Sequence, residues 1–151
     1  MNKDIKIYIA GPLFSVAERE FNKKLASVLI HRIKDCIVSL PQEYASAITG
    51  KAGFLDEVFD YSLKSILDSD IVIAILDGPD VDAGTCVEIG YAYANNKPIV
   101  GIRTDLRASE DRGVNLMVSK ACTSLILLQD STVTLDHVLN EVVRAVKSLS
   151  T

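Results

Sequence analysis

Two carboxylates and a phenol are the side chains of this sequence that are best spaced for chemistry. Glu88 is the only charged residue in the segment 83–96, and it follows Asp82 by six residues. An isolated carboxylate of this kind can act as a nucleophile, and a second carboxylate can donate or accept a proton. Tyr8 lies near the end of an apolar run, just before a Gly-Pro turn, so its hydroxyl could reach the same place.

Each of these residues also has an ordinary structural interpretation. Glu88 could lie on the solvent face of a surface helix, Asp82 fits the N-cap of that helix, and Tyr8 could be a core tyrosine. Capping and catalysis do not exclude each other. Gly84 and Gly90 each cost the helix about 1 kcal/mol in propensity, which is understandable if the helix lies close against the sheet or a ligand.

The elements around Glu88 form a strand, loop, helix and strand. The aliphatic run 71–76 is typical of a strand covered on both faces, and an acidic turn at 77–82 follows it. The helix then leads to a second apolar run at 99–102. In open α/β sheets this loop lies at the carboxyl end of its strand, where ligands bind.

The rest of the chain repeats this alternation. Strands are predicted at 5–10, 37–40, 71–76, 99–102 and 124–128, and helices at 17–33, 54–67, 83–96, from 115 and at 134–149. The pattern predicts one domain over residues 1–151, a flavodoxin-like, doubly wound, five-stranded parallel sheet in the order 2-1-3-4-5 with helices on both faces. In that order the first and third strands are neighbours, and Tyr8, Gly11, Asp82 and Glu88 surround one crevice.

Composition excludes several classes of function. The chain of 151 residues has a net charge of −4 and no basic cluster, which argues against nucleic acid as a partner. No apolar run approaches the ~20 residues of a membrane span, and no secretion leader precedes the first strand. Cys36, Cys86 and Cys122 are an odd number without C-x-x-C spacing, so we expect buried thiols in a reducing cytoplasm.

Three pieces of the sequence carry a family resemblance. The segment DAGTCVEIGYAYA at 82–94, followed by Lys97-Pro98, resembles the D-x-G-x-x-x-E-x-G-Y-A signature of the nucleoside 2-deoxyribosyltransferase family. The segments IYIAGP at 7–12 and NLM at 115–117 match in order and spacing. The resemblance runs from about residue 5 to 128, in a superfamily shared with 2′-deoxynucleoside 5′-phosphate N-hydrolases.

The resemblance implies a mechanism and an assembly. Glu88 would attack the sugar of a deoxynucleoside and form a covalent deoxyribosyl intermediate, with Tyr8 hydrogen-bonded to it and Asp82 assisting the departing base. A free nucleobase would then accept the sugar. The resemblance implies no cofactor, no metal, and a homo-oligomer, at least a dimer, in which Asn115 and Met117 reach the neighbouring subunit's site.

Other candidate substrate-binding residues surround the expected crevice. They are Gly11, Phe14, Gln42, Glu43, Ser62, Asp77 and Gly84. Ser62 departs from the family, whose members usually carry Asp or Asn at this position, so its contact with substrate is in doubt. The segment 49–53 contains two glycines and is predicted to be a flexible connector or lid.

Two other functions stay open. A deoxynucleoside 5′-monophosphate N-glycosidase would use the same glutamate with water as the acceptor, and Ser15 and Arg19 could contact its phosphate. A non-catalytic nucleotide-binding sensor would keep the fold with a decayed site, and the Ser62 departure is the argument for it. A receiver-like signalling module is disfavoured, because Ala10-Gly11 and Gln129-Asp130 stand where it needs paired carboxylates and a lysine.

Overall fold

A computed structural model describes residues 4–107 and 113–150. Its five strands are β1 (Ile5–Ala10), β2 (Cys36–Ser39), β3 (Ile71–Ile75), β4 (Ile99–Arg103) and β5 (Ser124–Leu127). The helices are α1 (Val16–Arg32), α2 (Pro41–Ile48), α3 (Phe54–Asp68), α4 (Ala83–Ala94), α5 (Leu116–Ala121) and α6 (Leu135–Leu149). All neighbouring strands are parallel, in the order β2-β1-β3-β4-β5. The predicted fold class and strand order are confirmed.

Alternating side chains divide the core into two layers. Ile7 and Ile9 of β1 point to the face covered by α1 and α6, and Ile71, Ile73 and Ile75 of β3 join them there. The residues between them in sequence, Tyr8, Ala10, Val72 and Ala74, point to the face covered by α3, α4 and α5. Tyr8 therefore lies on the same side of the sheet as the helix that carries Glu88.

The register of β1 and β3 brings two loops together. Ile7 pairs with Ile71 and Ala10 with Ala74, so the two strands end side by side. Gly11 then passes so close to β3 that an added Cβ would lie 3.0 Å from Ile75 Cβ. A side chain at position 11 would push the β1–α1 turn away from the sheet. Gly11 therefore allows this close packing, which is a sufficient structural reason for the residue.

Helix α2 is not predicted by the sequence, where residues 42–44 look like a polar loop. Its first residue is Pro41, which fits the start of a helix because no N–H is needed there. Residues 50–53 form the turn between α2 and α3, with positive φ at Gly50 (88°) and Gly53 (73°). The sequence predicts a charged loop over residues 104–114 after β4, and residues 108–112 of it lie outside the described part of the chain. Within the described residues, no helix has the length and apolar character needed to cross a membrane.

Candidate active site

A buried hydrogen bond joins Tyr8 to Glu88. Tyr8 is fully buried on β1, and its Oη donates to Oε1 of Glu88 on α4. Strand β1 faces α4 at this point because β1 and β3 are neighbours and α4 directly follows β3 along the chain. The carboxylate is therefore directed into the protein, and the interpretation of Glu88 as a solvent-facing helix residue is wrong. The hydrogen bond is the one that the family resemblance implies.

The environment of Glu88 brings the pKa of its carboxyl group close to neutral pH. Burial raises the pKa of Glu88 to about 7; the hydrogen bond from Tyr8 opposes this shift, and the charge of Asp82 adds to it. Burial, and then the negative charge of Glu88, raise the pKa of Tyr8 far above its ordinary value, so Tyr8 keeps its proton and donates. Glu88 is the sixth residue of α4, beyond the first turn, so the helix N-terminus does little to stabilise its ionised form.

Asp82 is the N-cap of α4, as its residue type and position predict. Its Oδ2 accepts hydrogen bonds from the backbone N of Thr85 (3.0 Å) and from Thr85 Oγ1 (3.3 Å). An added Cβ at Gly84 would lie 3.1 Å from the same oxygen, so a larger residue there would crowd the cap. The influence of Asp82 on the pKa of Glu88 shows that the two carboxylates belong to one electrostatic cluster.

Ser62 belongs to the same cluster. It lies half-buried on α3, and a hydrogen bond with its hydroxyl lowers the pKa of Tyr8 against the larger effect of burial. A hydroxyl that donates to the phenol oxygen would have this effect, because it favours the phenolate form. The position at which relatives usually carry Asp or Asn is thus held here by a neutral side chain that touches Tyr8. Asp60, the nearest acidic residue on α3, is exposed to solvent.

Comparisons with known proteins agree with this geometry. The family model described as "Nucleoside 2-deoxyribosyltransferase" matches residues 7–117, which include Tyr8, Asp82 and Glu88. The chain belongs to this family. A protein of Ureaplasma parvum serovar 3, named "Uncharacterized protein UU063", is 33% identical over 140 residues, covering 84% of this chain and 86% of the relative.

Solved structures extend the comparison. The 2-deoxyribosyltransferase of Bacillus psychrosaccharolyticus superposes with a TM-score of 0.69 at 26% identity, covering 89% of this chain and 90% of the other. The CMP N-glycosidase BcmB of Clostridium botulinum superposes with a TM-score of 0.63 at 18% identity, over 91% and 96% of the two chains. This second likeness shows a shared fold only. The family takes its name from enzymes that transfer the 2-deoxyribosyl group of nucleosides.

In this deoxyribosyltransferase family member, Gln42 does not face the cluster around Glu88. It is only 4% exposed; its Oε1 accepts from Asn22 Nδ2 (3.0 Å) and its Nε2 donates to the carbonyl of Arg19 (3.0 Å). Asn22 Nδ2 also donates to the carbonyl of Pro12 (3.0 Å), so the two amides hold the β1–α1 turn to α1 and α2. The predicted substrate contact of Gln42 would require these buried bonds to break.

The carboxylate of Asp77 is also occupied by hydrogen bonds within the fold. Its Oδ1 accepts from the backbone N of Thr104 (2.6 Å) and of Asp105 (2.9 Å), and its Oδ2 accepts from Thr104 Oγ1 (2.6 Å). These bonds tie the loop after β3 to the loop after β4. Asp77 lines a cavity of about 380 Å³ together with Pro12 and Glu18, and neither Tyr8 nor Glu88 borders that cavity. The structure thus places Asp77 away from the cluster that it was predicted to join.

Asn115 and Met117 lie across α4 from Glu88. Asn115 is the N-cap of α5, with Oδ1 accepting from the backbone N of Met117 (2.9 Å), and both residues are exposed. They line a cavity of about 540 Å³ between α4 and α5, which Cys86 and Gly90 border from α4. Because α4 turns once every 3.6 residues, positions 86 and 90 face away from Glu88. Within one chain, Asn115 and Met117 are therefore separated from Glu88 by the helix.

The remaining predicted residues are at the surface. Phe14 is 74% exposed in the β1–α1 turn, where its backbone N donates to Glu18 Oε2 (2.9 Å). Glu43 is exposed on α2, and its Oε1 lies 3.9 Å from Lys23 Nζ in an ion pair between exposed side chains. Gly84 is exposed in the first turn of α4. Among the residues that the structure describes, no group of three or more acidic, cysteine or histidine side chains could hold a metal ion.

Sequence reasoning missed two features of the fold. Arg103, at the end of β4, is fully buried and donates to the carbonyls of Leu76 (2.6 Å), Gly78 (3.1 Å) and Arg107 (3.1 Å). A charged residue that ends an apolar strand was the only signal for it. The second feature is a stacked pair of tyrosines, Tyr44 and Tyr61, that joins α2 to α3. The two residues are 17 positions apart in the sequence, and no local pattern connects them.

Proposed function

We propose that this protein is a nucleoside deoxyribosyltransferase that moves the 2-deoxyribosyl group of a deoxynucleoside to a free nucleobase. The observation that carries the proposal is the buried, hydrogen-bonded pair of Tyr8 and Glu88, in a chain that matches the deoxyribosyltransferase family. A carboxylate whose pKa lies near 7 is ionised in a large fraction of molecules at neutral pH, and it is directed inward rather than into solvent. A nucleophilic carboxylate needs both properties, because it attacks in its ionised form and hydration by bulk water makes it less reactive.

The proposed reaction has two steps at the anomeric carbon C1′. In the first, a carboxylate oxygen of Glu88 forms a bond to C1′ while the bond from C1′ to the base nitrogen breaks, and the base leaves with the bonding electrons. In the second, a nitrogen of the acceptor base attacks C1′, the ester bond to Glu88 breaks, and the proton of that nitrogen passes to the group that protonated the departing base, for which Asp82 is the candidate. The sugar configuration is retained because C1′ is inverted twice, as in retaining glycosidases.

Two neighbours assist the carboxylate. Tyr8 stays protonated, so it donates to Glu88 and holds one oxygen in place while favouring the ionised form. Asp82, fixed by its two hydrogen bonds with Thr85, is the candidate to hydrogen-bond the departing base or pass it a proton. Its fixed position at the start of α4 would hold that contact in place while Glu88 attacks C1′.

The β1–α1 turn favours a nucleoside over a nucleoside 5′-monophosphate. Ser15 is the N-cap of α1, and its hydroxyl accepts from the backbone N of Glu18 (3.1 Å), whose carboxylate returns a capping bond to Ser15. Arg19 Nη1 donates to the carbonyls of Leu13 (3.1 Å) and Phe14 (2.8 Å). The two side chains that could have held a phosphate are thus engaged within the chain, and a carboxylate occupies the helix N-terminus.

We also infer that the enzyme works as an oligomer, at least a dimer. Met117 is 78% exposed and Leu116 is 53% exposed beside the α4–α5 cavity, and Val87 on α4 is 62% exposed next to Glu88. An added Cβ at Gly90 would meet no atom within 4 Å, so its own chain does not require a glycine there. A neighbouring subunit packed on this face would cover these side chains and let Asn115 and Met117 serve the partner's site.

A chromatographic assay tests the proposed function. Purified protein is incubated with deoxyinosine alone, with deoxyinosine and adenine, and separately with dCMP and dGMP. The proposal predicts deoxyadenosine only when adenine is present. Base release from the monophosphates that does not depend on an acceptor would instead indicate a nucleotide N-glycosidase, and no turnover in any mixture would indicate a sensor. Glu88→Gln should abolish turnover, while Glu20→Gln, at an exposed position of α1, should leave it unchanged.

A further inference from the structure

The loop from β3 to α4 is fixed at its start by residues at the end of β4. Arg103 is fully buried, and its guanidinium donates to the carbonyls of Leu76 (2.6 Å) and Gly78 (3.1 Å). The backbone N of Gly78 donates to Asp105 Oδ2 (3.1 Å), and Oδ1 of Asp77 accepts from the backbone N of Asp105 (2.9 Å). Both polar backbone atoms of Gly78 are thus held from the end of β4. We call this set of hydrogen bonds the loop clamp.

The guanidinium of Arg103 is enclosed as well as hydrogen-bonded. Its Nη2 also donates to the carbonyl of Arg107 (3.1 Å), and its Nε is buried without a hydrogen-bond partner in the described part of the chain. An added Cβ at Gly113 would lie 2.6 Å from this Nε, so a larger residue would not fit beside it. A planar guanidinium can reach carbonyls in two loops at once, whereas a lysine ammonium has a single nitrogen. The loop clamp therefore depends on arginine and not on positive charge alone.

The loop clamp determines where Asp82 lies. Only three residues separate Gly78 from Asp82, and the first of them is Pro79, whose φ is fixed by its ring. Gly78 has a φ of 129°, and a Cβ there would lie 2.8 Å from the carbonyl oxygen of Asp80, so the turn is tightly wound. Asp82 then begins α4 as its N-cap. A connection this short and stiff would pass a shift at the clamp on to Asp82.

Glu88 is held in place independently of the loop clamp. It lies in the second turn of α4, where Ile89 and Ala92 are buried in the core below the helix. Tyr8 also donates a hydrogen bond to its carboxylate. Loss of the clamp should therefore displace Asp82 more than Glu88. In the proposed reaction this would weaken the help given to the departing base and largely preserve the attack on C1′.

We propose that Arg103 is a positioning residue for the transfer reaction, which holds Asp82 in place through the loop clamp. The inference rests on the proposed function, and Arg103 acts through other residues because none of its hydrogen bonds reaches Asp82 or Glu88. Misplacing a catalytic group by about 1 Å can cost about 10²-fold in rate, and proton transfer by a positioned side chain contributes about 10²–10⁴-fold. Arg103→Lys should thus lower kcat/KM for deoxyinosine by about 10–100-fold.

The opposite ends of the same two strands supply a matched control. Lys97 lies just before β4, and its Nζ donates to the carbonyls of Leu67 and Ser69, the latter at 2.8 Å, which lie just before β3. Like Arg103, Lys97 is a cation that ties the chain around β4 to carbonyls around β3. It lies at the amino ends of these strands, however, and the loop that carries Asp82 lies at their carboxyl ends. Lys97→Met should lower the Tm and leave kcat/KM for deoxyinosine unchanged.

Two donors distinguish a positioning role from a purely structural one. The hypoxanthine of deoxyinosine needs a proton or a hydrogen bond as it leaves, whereas the base of N7-methyldeoxyguanosine already carries a positive charge and leaves without one. The kcat/KM of the donor reports the first step, up to release of the base. Well below the Tm of each variant, Arg103→Lys should lose about 10–100-fold with deoxyinosine and less than about threefold with the methylated donor. Lys97→Met should lose activity with neither.

Hydrogen exchange adds a readout that does not need turnover. Arg103→Lys should speed exchange of the backbone amides of Thr85 and Cys86, which donate to Asp82, and should leave the amides of β1 unchanged. Lys97→Met should not speed exchange at these two amides. If Arg103→Lys does not fold, Asp105→Ala replaces it, because that variant removes the bond to the backbone N of Gly78 and keeps Arg103.

Three results would overturn the inference. They are equal losses of kcat/KM with both donors, an Arg103→Lys enzyme that retains full activity with deoxyinosine, and unchanged exchange at the start of α4. Each would mean that Arg103 contributes to the fold alone, as Lys97 does. A wild-type protein that transfers no deoxyribose would instead refute the proposed function, and hydrogen exchange would still show whether the loop clamp holds the start of α4.

Discussion

Replacing Tyr8 by Phe removes one hydroxyl from the buried contact with Glu88 and keeps the ring that fills the core. Burial and the charge of Asp82 raise the pKa of Glu88 and the hydrogen bond from Tyr8 lowers it, so that the pKa is about 7 with all three effects present. A hydrogen bond to a charged group contributes about 1.5–3 kcal/mol, which corresponds to roughly 1–2 pKa units at about 1.36 kcal/mol per unit. The pKa of Glu88 in the variant should therefore rise to roughly 8–9.

This rise has a defined effect on the rate, because only the ionised carboxylate attacks. At pH 7 the ionised fraction falls from about one half to about 1–10%, so kcat/KM should fall about 5–50-fold. The loss should shrink as pH increases, since the variant becomes fully ionised above its new pKa. The assay is the pH dependence of kcat/KM between roughly pH 5.5 and 10, whose acid limb reports the free enzyme.

A matched control separates this effect from a general loss of tyrosine. Tyr93→Phe alters an exposed phenol on α4, the helix that also carries Glu88, and should leave the acid limb where it is in the wild-type enzyme. A Tyr8→Phe enzyme with an unchanged acid limb, whether fully active or uniformly slow at every pH, would refute the assignment of Tyr8 as the group that tunes Glu88.

Three further predictions concern stability. Because folding raises the pKa of Glu88 from 4.5 to about 7, the native state binds an extra proton between these pH values and loses stability as pH rises through them. Glu88→Gln should therefore leave the free energy of urea unfolding unchanged near pH 4.5 and increase it by up to ~3 kcal/mol at pH 8. Equal effects at the two pH values would contradict this. Gly101→Ala would place a Cβ 2.8 Å from a cysteine Sγ and should lower the free energy of unfolding by about 1–3 kcal/mol. Gly90→Ala, whose Cβ would meet no atom within 4 Å, should raise the free energy of unfolding of the monomer by about 1 kcal/mol. Thermal melts with the opposite order would refute the packing argument. Arg103→Met should cost at least about 3 kcal/mol, because it leaves three carbonyl acceptors without their donor, and a Tm within about 2 °C of wild type would contradict this.

The sheet could be predicted because its strands are buried on both faces. The continuous aliphatic runs at β1, β3 and β4 mark such strands, and their alternation with helical segments specifies a parallel sheet of this order. Helix α2 could not be predicted, because its eight residues carry only a short apolar pattern. Its stability comes from tertiary contacts, among them the buried amide of Gln42, which outweigh weak local propensity.

The central part of the site could be predicted for a related reason. Asp82 and Glu88 lie in one helical segment, and strand order alone brings Tyr8 to them. The outer part could not, because a residue at the carboxyl edge of the sheet can face either side. Asp77 lies on the side of α1, and Asn115 lies beyond α4, although the sequence places both just after strands or at a helix start. Which side each takes depends on three-dimensional contacts such as those between Asp77 and Thr104.

Mass spectrometry of a trapped reaction tests the role of Glu88 most directly. Enzyme mixed with deoxyinosine and no acceptor is quenched in acid, digested and analysed peptide by peptide. The account predicts a deoxyribosyl ester on the peptide that contains Glu88, which disappears when adenine is added before the quench and is absent from Glu88→Gln. An enzyme that transfers deoxyribose with the adduct on another residue, or with no adduct at any quench time, would contradict it.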